Sequence, residues 1–450
     1  MSRSIYAIII ALVGPFLTPF VTSSINIALP EIGRELGVSA SILSWIPTSY
    51  LMTLAALLIP MGRLGDIYGR KRIFQLGITI FTISSALAGI SATGETIIFF
   101  RILQGIGSAM IFSNVNAILA SIFPKHKRGR AFGLSSTGSY LGLFSGVTIG
   151  GFLTQYFGWR GVFYFNVPLA ILCGYATLMI KGDWREAKGE DFDVKGSNFL
   201  AFSFIFLLLG VSSLYETQGL LFVSLGSVLS FLLYNYENRV DDPVFNPKIL
   251  KKREFSWNGL AMLVTYTAAY PITFLLSYYL QSFQGFSPQK TGLVLSLQPV
   301  TIATLAPLGG RLSDKLNPRY VAAGGMLSIA TAITTFILFS MQKNEMLLYL
   351  GLFLMGSGFA LFSPSNTNMV MSSVKKRFFG VASATLSTFR VVGQCTGMGV
   401  IISILHFYSK TGAKVNGPVF TTVMELSMLV FLFLSIIGIL LISFSKNESR

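Results

Sequence analysis

Charged residues are scarce in this chain. They occupy 12% of its 450 positions, and only 18 are acidic, whereas soluble domains run to roughly a quarter charged. Lipid is therefore the expected solvent for most of its surface. Cysteine is almost absent: Cys173 and Cys395 sit inside apolar runs, which excludes a disulfide framework or a thiolate metal site. Two histidines, His126 and His406, are too few and too far apart for a metal set. No Gly-x-x-x-x-Gly-Lys-Ser/Thr segment occurs, so no nucleotide-binding loop of that kind is expected, and no cofactor. An intramembrane enzyme needs paired aspartates, a histidine–carboxylate set, or a nucleophile beside its base. The apolar runs hold none of these.

What is present is hydrophobic: 52% of residues, with 39 phenylalanines and a mean hydropathy of +0.66. A bilayer core of ~30 Å takes about 20 apolar residues per helix. Such runs fall at 4–28, 43–61, 73–92, 97–121, 131–153, 163–180, 196–214, 219–235, 256–280, 291–308, 320–341, 346–370, 379–406 and 418–445. The first is read as a spanning helix rather than a signal peptide, because no small-residue cleavage pattern follows it. The net charge of +16 lies in short clusters between these runs, not on one soluble face, which argues against a nucleic-acid partner. With the N-terminus inside, 26 of the 34 lysines and arginines fall on the inner side and six on the outer side. That asymmetry follows the positive-inside rule and places both termini in the cytoplasm of a multi-pass plasma-membrane protein.

The chain repeats itself. Gly62-Arg63-Leu64-Gly65-Asp66 and Gly310-Arg311-Leu312-Ser313-Asp314 lie 248 residues apart, in inner loops after the second and tenth spans. A second echo sets Gly107-Ser108 against Gly356-Ser357 at an offset of 249. Duplication of a six-helix unit accounts for both, and paired halves are a frequent construction of secondary transporters. The expected fold is an all-α polytopic membrane protein of about 14 spans. Its parts are an N-terminal six-helix bundle over 1–181, an inner loop, two extra helices and a linker over 182–255, and a C-terminal six-helix bundle over 256–450.

The segment Gly62 to Arg72, Gly-Arg-Leu-Gly-Asp-Ile-Tyr-Gly-Arg-Lys-Arg, resembles the loop signature of the major facilitator superfamily. Asn26 to Pro30, Trp45 through Leu51, and Arg101 to Gly105 resemble its fourteen-helix drug/proton antiporter branch. So do the fifth-helix glycines Gly133, Gly142, Gly146, Gly150 and Gly151, followed by Gly158-Trp159-Arg160. The resemblance covers nearly the whole chain. It implies that Gly62, Asp66, Gly69 and Arg70, with Gly310 and Asp314 in the repeat, latch the protein in one conformation. It also implies a functional setting for Arg101 and Gln104, and protons as the coupling ion. Two positions depart from the branch. Val21 stands where helix one usually carries an acid, and Val147 where the fifth-helix motif usually has proline.

Residue chemistry adds further candidates. Arg390 falls near mid-span, where a lone charge costs at least ~2.5–3.5 kcal/mol and usually faces a partner or a pathway. Glu425 is the one carboxylate well inside a span, so an Arg390–Glu425 pair, structural or functional, is one expectation. Arg101 lies about a turn below the outer surface, where snorkelling alone accounts for a cation. Asn26, Tyr50 and Gln298 are the foremost polar residues for lining a path. The fifth-helix glycines suit close helix packing in lipid, and Glu186 to Lys195 reads as a solvated connector. The leading expectation is export of small amphipathic compounds by alternating access. A carrier of an organic anion with weak proton coupling is the alternative, since arginines outnumber carboxylates within the spans. A non-transporting receptor has no feature of its own to support it.

Overall fold

The computed structural model describes every residue except 1–2, 124–127, 215, 241–242, 245–251, 374–378, 411–416 and 445–450. It also leaves undescribed the side chains of 3–4, 128–133, 314, 379–384, 409–410 and 417. Gly133 and the Asp314 side chain, both singled out above, thus lie outside the described set. Among described residues the chain is helical, without strands. The helices are α1 (Arg3–Leu36), α2 (Ala40–Tyr68), α3 (Arg70–Gly89), α4 (Gly94–Ile122), α5 (Arg128–Phe157), α6 (Arg160–Met179), α7 (Val194–Ser212) and α8 (Thr217–Glu237). They continue as α9 (Arg253–Ser282), α10 (Pro288–Leu295), α11 (Leu297–Lys315), α12 (Pro318–Gln342), α13 (Glu345–Ser372), α14 (Phe379–Lys410) and α15 (Gly417–Phe444). Thirteen described segments are long and apolar enough to cross a bilayer, with α10 and α11 together making one of them.

Local chemistry sets the helix starts. Ser39 caps α2 by accepting from the Ile42 amide, and Thr93 with Thr96 forms a reciprocal capping box at α4. Asn317 caps α12, with Pro318 in its first turn, where a missing N–H costs nothing. The helices outrun the expected spans. Residues 62–68, read above as loop, form the last turns of α2, and Gly69 alone separates α2 from α3. Gly69 adopts φ +117°, a backbone state that side-chain-bearing residues rarely adopt. Asp66 and Arg70 therefore sit four residues apart on the adjoining ends of α2 and α3 instead of on a loop. The repeat segment Gly310–Asp314 is likewise within α11.

Two compact units emerge. The first comprises Met1–Ile205, Leu229–Val244 and Phe286–Leu293; the second comprises Phe206–Val228, Phe245–Gly285 and Val294–Arg450. In the first, α1 packs along α5 and α6, α2 along α4, and α3 along α4 and α6. In the second, α9 packs along α14 and α15, α11 along α13, and α12 along α13 and α15. The two patterns match helix for helix. The α7–α8 hairpin divides: Leu200 and Leu233 join Val244 in a small core against Ile59 of the first unit. Farther along the hairpin, the Ser403 hydroxyl donates to the Val211 carbonyl at 2.6 Å within the second.

Glycines set the internal register of both units. A Cβ on Gly77 would lie 2.8 Å from the Gly107 carbonyl oxygen, and one on Gly107 2.7 Å from that of Gly77. Gly325 and Gly358 face each other in the same reciprocal way, at 2.7 and 2.6 Å. Gly105 lies against the Tyr50 carbonyl, as Gly356 lies against the Gln298 carbonyl. Gly107 thus corresponds to Gly358 and Gly105 to Gly356, an offset of 251. This corrects the 249 offset read from Gly107-Ser108 and Gly356-Ser357, where identical dipeptides fall on different helix faces.

Candidate functional site

A buried polar cluster inside the first unit centres on Arg101, which is fully buried on α4. Its Nε donates to the Ile46 carbonyl at 3.1 Å, its Nη1 donates to Gln104 Oε1, and its guanidinium lies 4.1 Å from the centre of the Tyr50 ring. Gln104 Nε2 donates to Ser85 Oγ at 2.7 Å, and the Tyr50 hydroxyl donates to Ser108 Oγ at 2.7 Å. The cluster joins α2, α3 and α4. Arg101 does not snorkel to water; a planar guanidinium fits a carbonyl, an amide oxygen and a ring face at once. The expected residues Tyr50, Arg101 and Gln104 are thus brought together. Their shared feature, three residues turned to one another across two helices, is invisible to a span-by-span reading. Asn26 is buried on α1.

A second cluster closes the α2–α3 junction. Arg70 Nε donates to Asp66 Oδ1 at 2.8 Å, and its Nη1 donates to Glu186 Oε1 at 2.7 Å and to Ser121 Oγ at 3.2 Å. Arg63 pairs with Glu190, and Arg72 pairs with Asp183 at 3.0 Å. Two backbone bonds fasten the same segment: Arg70 N–H donates to the Trp184 carbonyl at 3.0 Å, and Ala187 N–H to the Asp66 carbonyl at 3.1 Å. A Cβ on Gly69 would lie 2.2 Å from Asp183 Oδ1, so the bare glycine makes room for the segment. The segment 186–195, read as a solvated connector, is exposed at Glu186, Lys188 and Gly189, and at Glu186 to Glu190 ion pairs and a buried Ala187 also tie it down. The pairing was not visible in the sequence because the matching arginines lie more than a hundred residues upstream. Gly62 and Gly310 need no close approach: a Cβ at Gly62 would be 3.5 Å from Ser113 Cβ, and one at Gly310 would meet nothing.

The α5 glycines form a bare face against α1. Ideal Cβ atoms at Gly138 and Gly142 would sit 2.3 and 2.5 Å from the Leu12 and Phe16 carbonyl oxygens. Those at Gly146 and Gly150 would meet Phe20 O at 2.8 Å and Ser24 Cβ at 2.7 Å. Gly138, unremarked above, completes the four-residue spacing. Pro19 leaves the Pro15 carbonyl without its helical donor, and Ser139 Oγ donates to it at 3.5 Å. Gly151 points elsewhere, toward Pro288 O and Gly292 Cα of α10, while a Cβ on Gly292 would lie 2.3 Å from Val147 O. In the second unit, Gly393 and Gly397 of α14 lie 2.3 Å from Leu263 O and Thr267 O of α9 by the same measure. On the flank of the first unit, Glu35 accepts from Trp159 Nε1 at 2.8 Å and pairs with Arg160.

Glu425 lies on α15 and Arg390 on α14. Ser340 Oγ, two residues from the end of α12, donates to Glu425 Oε1 at 2.8 Å. Glu425 is 8 residues from the Gly417 end of α15, and Arg390 is 20 from the Lys410 end of α14. At 1.5 Å per residue these are roughly 12 and 30 Å along the two helices. Gln298 is half-buried in the first turn of α11. No group of described residues is arranged to hold a metal.

Two compact units with matching helix pairings, glycine-lined contacts and a fully buried arginine in the first suit a membrane-transport class of fold. The chain belongs to the Major Facilitator Superfamily, whose family description matches residues 11–398, and it is a multi-pass membrane transporter rather than an enzyme. It is 26% identical to the riboflavin transporter RibZ of Clostridioides difficile, over 88% of this chain and 87% of that protein. It is 27% identical to the multidrug resistance protein Stp of Mycobacterium tuberculosis, over 85% of this chain and 72% of that one. In fold it matches the crystal structure of the POT family transporter PepTSo, with a TM-score of 0.73, 14% identity and 99% of both chains covered.

Proposed function

We propose that this transporter exports small amphipathic compounds from the cytoplasm by alternating access, with protons as the coupling ion. The observation that carries the reading is the α1–α5 interface. Its four glycines meet α1 backbone or Cβ atoms at distances that leave no space for a methyl group. Such an interface suits helices that must stay packed while the bundle rocks. The likeness to Stp supports an exporter. In this scheme Arg101, Tyr50 and Gln104 hold α2 and α4 in register beside the path, and Asn26 and Gln298 line it. Asp66 and Arg70 set the conformation of the cytoplasmic end, as Gly310 and Asp314 do in the repeat. Glu425 is the carboxylate nearest to a proton-handling role.

A second reading has its own support. Arg101 is buried within the helices, while Glu425 lies level with the last turn of α12. That balance welcomes an anionic or carbonyl-rich solute, and a relative named as a riboflavin transporter fits it. Expression in cells stripped of their main exporters separates the readings. Lowered ethidium retention, lost in Arg101→Ala at equal membrane abundance, supports drug export. Unchanged ethidium with altered flux of an organic anion such as fluorescein supports the alternative.

A further inference from the structure

Every signature arginine that faces the α2–α3 junction meets a carboxylate from one short non-helical segment. Glu186 reaches Arg70 from 116 positions away in sequence, and Glu190 reaches Arg63 from 127. The exposures are lopsided. The Arg70 side chain is 9% exposed and Arg63 21%, against 68% for Glu186 and 37% for Glu190. The arginines are thus built into the helix ends, and the carboxylates come down on them from the water side. Two backbone bonds, at Trp184 and Ala187, run alongside the ion pairs. Asp66 contributes both its side chain to Arg70 and its carbonyl to the Ala187 amide, which makes one residue the seat of both kinds of bond. Arg70 also reaches Ser121 on α4, so the segment draws together α2, α3 and α4.

We propose that residues 183–190 are a strap across the α2–α3 junction, and that Glu186 and Glu190 are positioning residues for the signature arginines Arg70 and Arg63. The strap fixes the guanidinium orientation and, through it, the angle between α2 and α3 during transport. The transport part of this proposal rests on the export reading; the structural part does not.

The test uses the full-length protein carrying Ala187→Cys. Ala187 is 6% exposed, and the native Cys173 and Cys395 are fully buried, so a polar maleimide reports the introduced thiol. Labelling in detergent should be slow, and should quicken as KCl is raised because exposed ion pairs are screened. Adding Glu186→Gln and Glu190→Gln should speed labelling by roughly two- to fivefold per pair lost, in line with exposed ion pairs, and should weaken the salt dependence to that of the remaining Arg72–Asp183 pair. The exchange Arg63→Glu with Glu190→Arg should slow labelling again. Glu186→Asp with Glu190→Asp should keep the chain near wild-type behaviour and guards against simple misfolding. Labelling that ignores both Gln substitutions, or an exchange that restores nothing, overturns the strap. In proteoliposomes, ethidium turnover should fall in the Gln variant with the half-saturating concentration unchanged. Turnover that stays at the wild-type value while labelling accelerates overturns the positioning role and leaves the strap. Absence of ethidium transport in the wild type overturns the export reading, and the labelling arm still decides the strap.

Discussion

Gly142→Ala is the sharpest perturbation of the α1–α5 contact. The added methyl would sit 2.5 Å from the Phe16 carbonyl oxygen and 3.2 Å from Phe16 C and Cα, where ordinary contact begins at 3.4 Å. The obstruction is helix backbone, which cannot swing aside like a side chain. Phe16 is also held by stacking on Phe20 at 5.3 Å, and Phe20 on Phe165 at 4.9 Å. The helices must part by about 0.9 Å at this level, an overpacking cost of about 1–3 kcal/mol. Alanine recovers roughly 0.5–1 kcal/mol over glycine as a helix former, leaving a net change from about zero to a loss of about 2.5 kcal/mol, and a deficit of about 1–3 kcal/mol against a glycine replaced without contact. Gly324→Ala is the control, because its Cβ meets nothing and only the helix gain remains. Detergent unfolding midpoints of the two variants and wild type measure the difference. A Gly142→Ala protein as stable as the Gly324→Ala protein would refute the argument that backbone contact at α1 demands glycine.

Other outcomes follow from the same geometry. Arg101→Lys keeps the charge but cannot bond Ile46 O and Gln104 Oε1 together while lying on the Tyr50 ring, so ethidium efflux should drop more than tenfold at normal abundance. Trp159→Phe removes the donor to Glu35 from a fully buried ring; unfolding midpoints should report a loss of about 1–2 kcal/mol. Glu425→Gln keeps an acceptor for Ser340 yet cannot release a proton, so ethidium counterflow should persist while its response to a pH gradient disappears.

Much of the fold was legible because lipid imposes it. Runs of apolar residues and the one-sided placement of lysine and arginine expose the spans, and the Gly62 and Gly310 segments expose the duplication. Boundaries were harder to read. Hydropathy ends where Arg63 begins, but helical hydrogen bonding continues to Tyr68 until Gly69 breaks it. The span expected at 291–308 begins earlier and divides at Ser296 into α10 and α11, where Pro299 leaves the Leu295 carbonyl without its helical donor. Polar residues were the least legible. Arg101 and Gln104 were recognisable as a motif, but Ser85 and Ser108 are ordinary serines until folding sets them beside Gln104 and Tyr50. Glu186 and Glu190 were set aside for the same reason: pairing across long sequence separation leaves no local periodicity to read.

The proposal as a whole is proton-coupled export of small amphipathic compounds, with ethidium as the probe. Its most direct test is the purified protein in liposomes loaded with ethidium, with proton flux and dye efflux followed together under an imposed pH gradient. Dye efflux should require the gradient and be accompanied by proton movement in the opposite direction, and both should be lost in Arg101→Ala. Dye that stays inside, or leaves at one rate with and without the gradient, contradicts it.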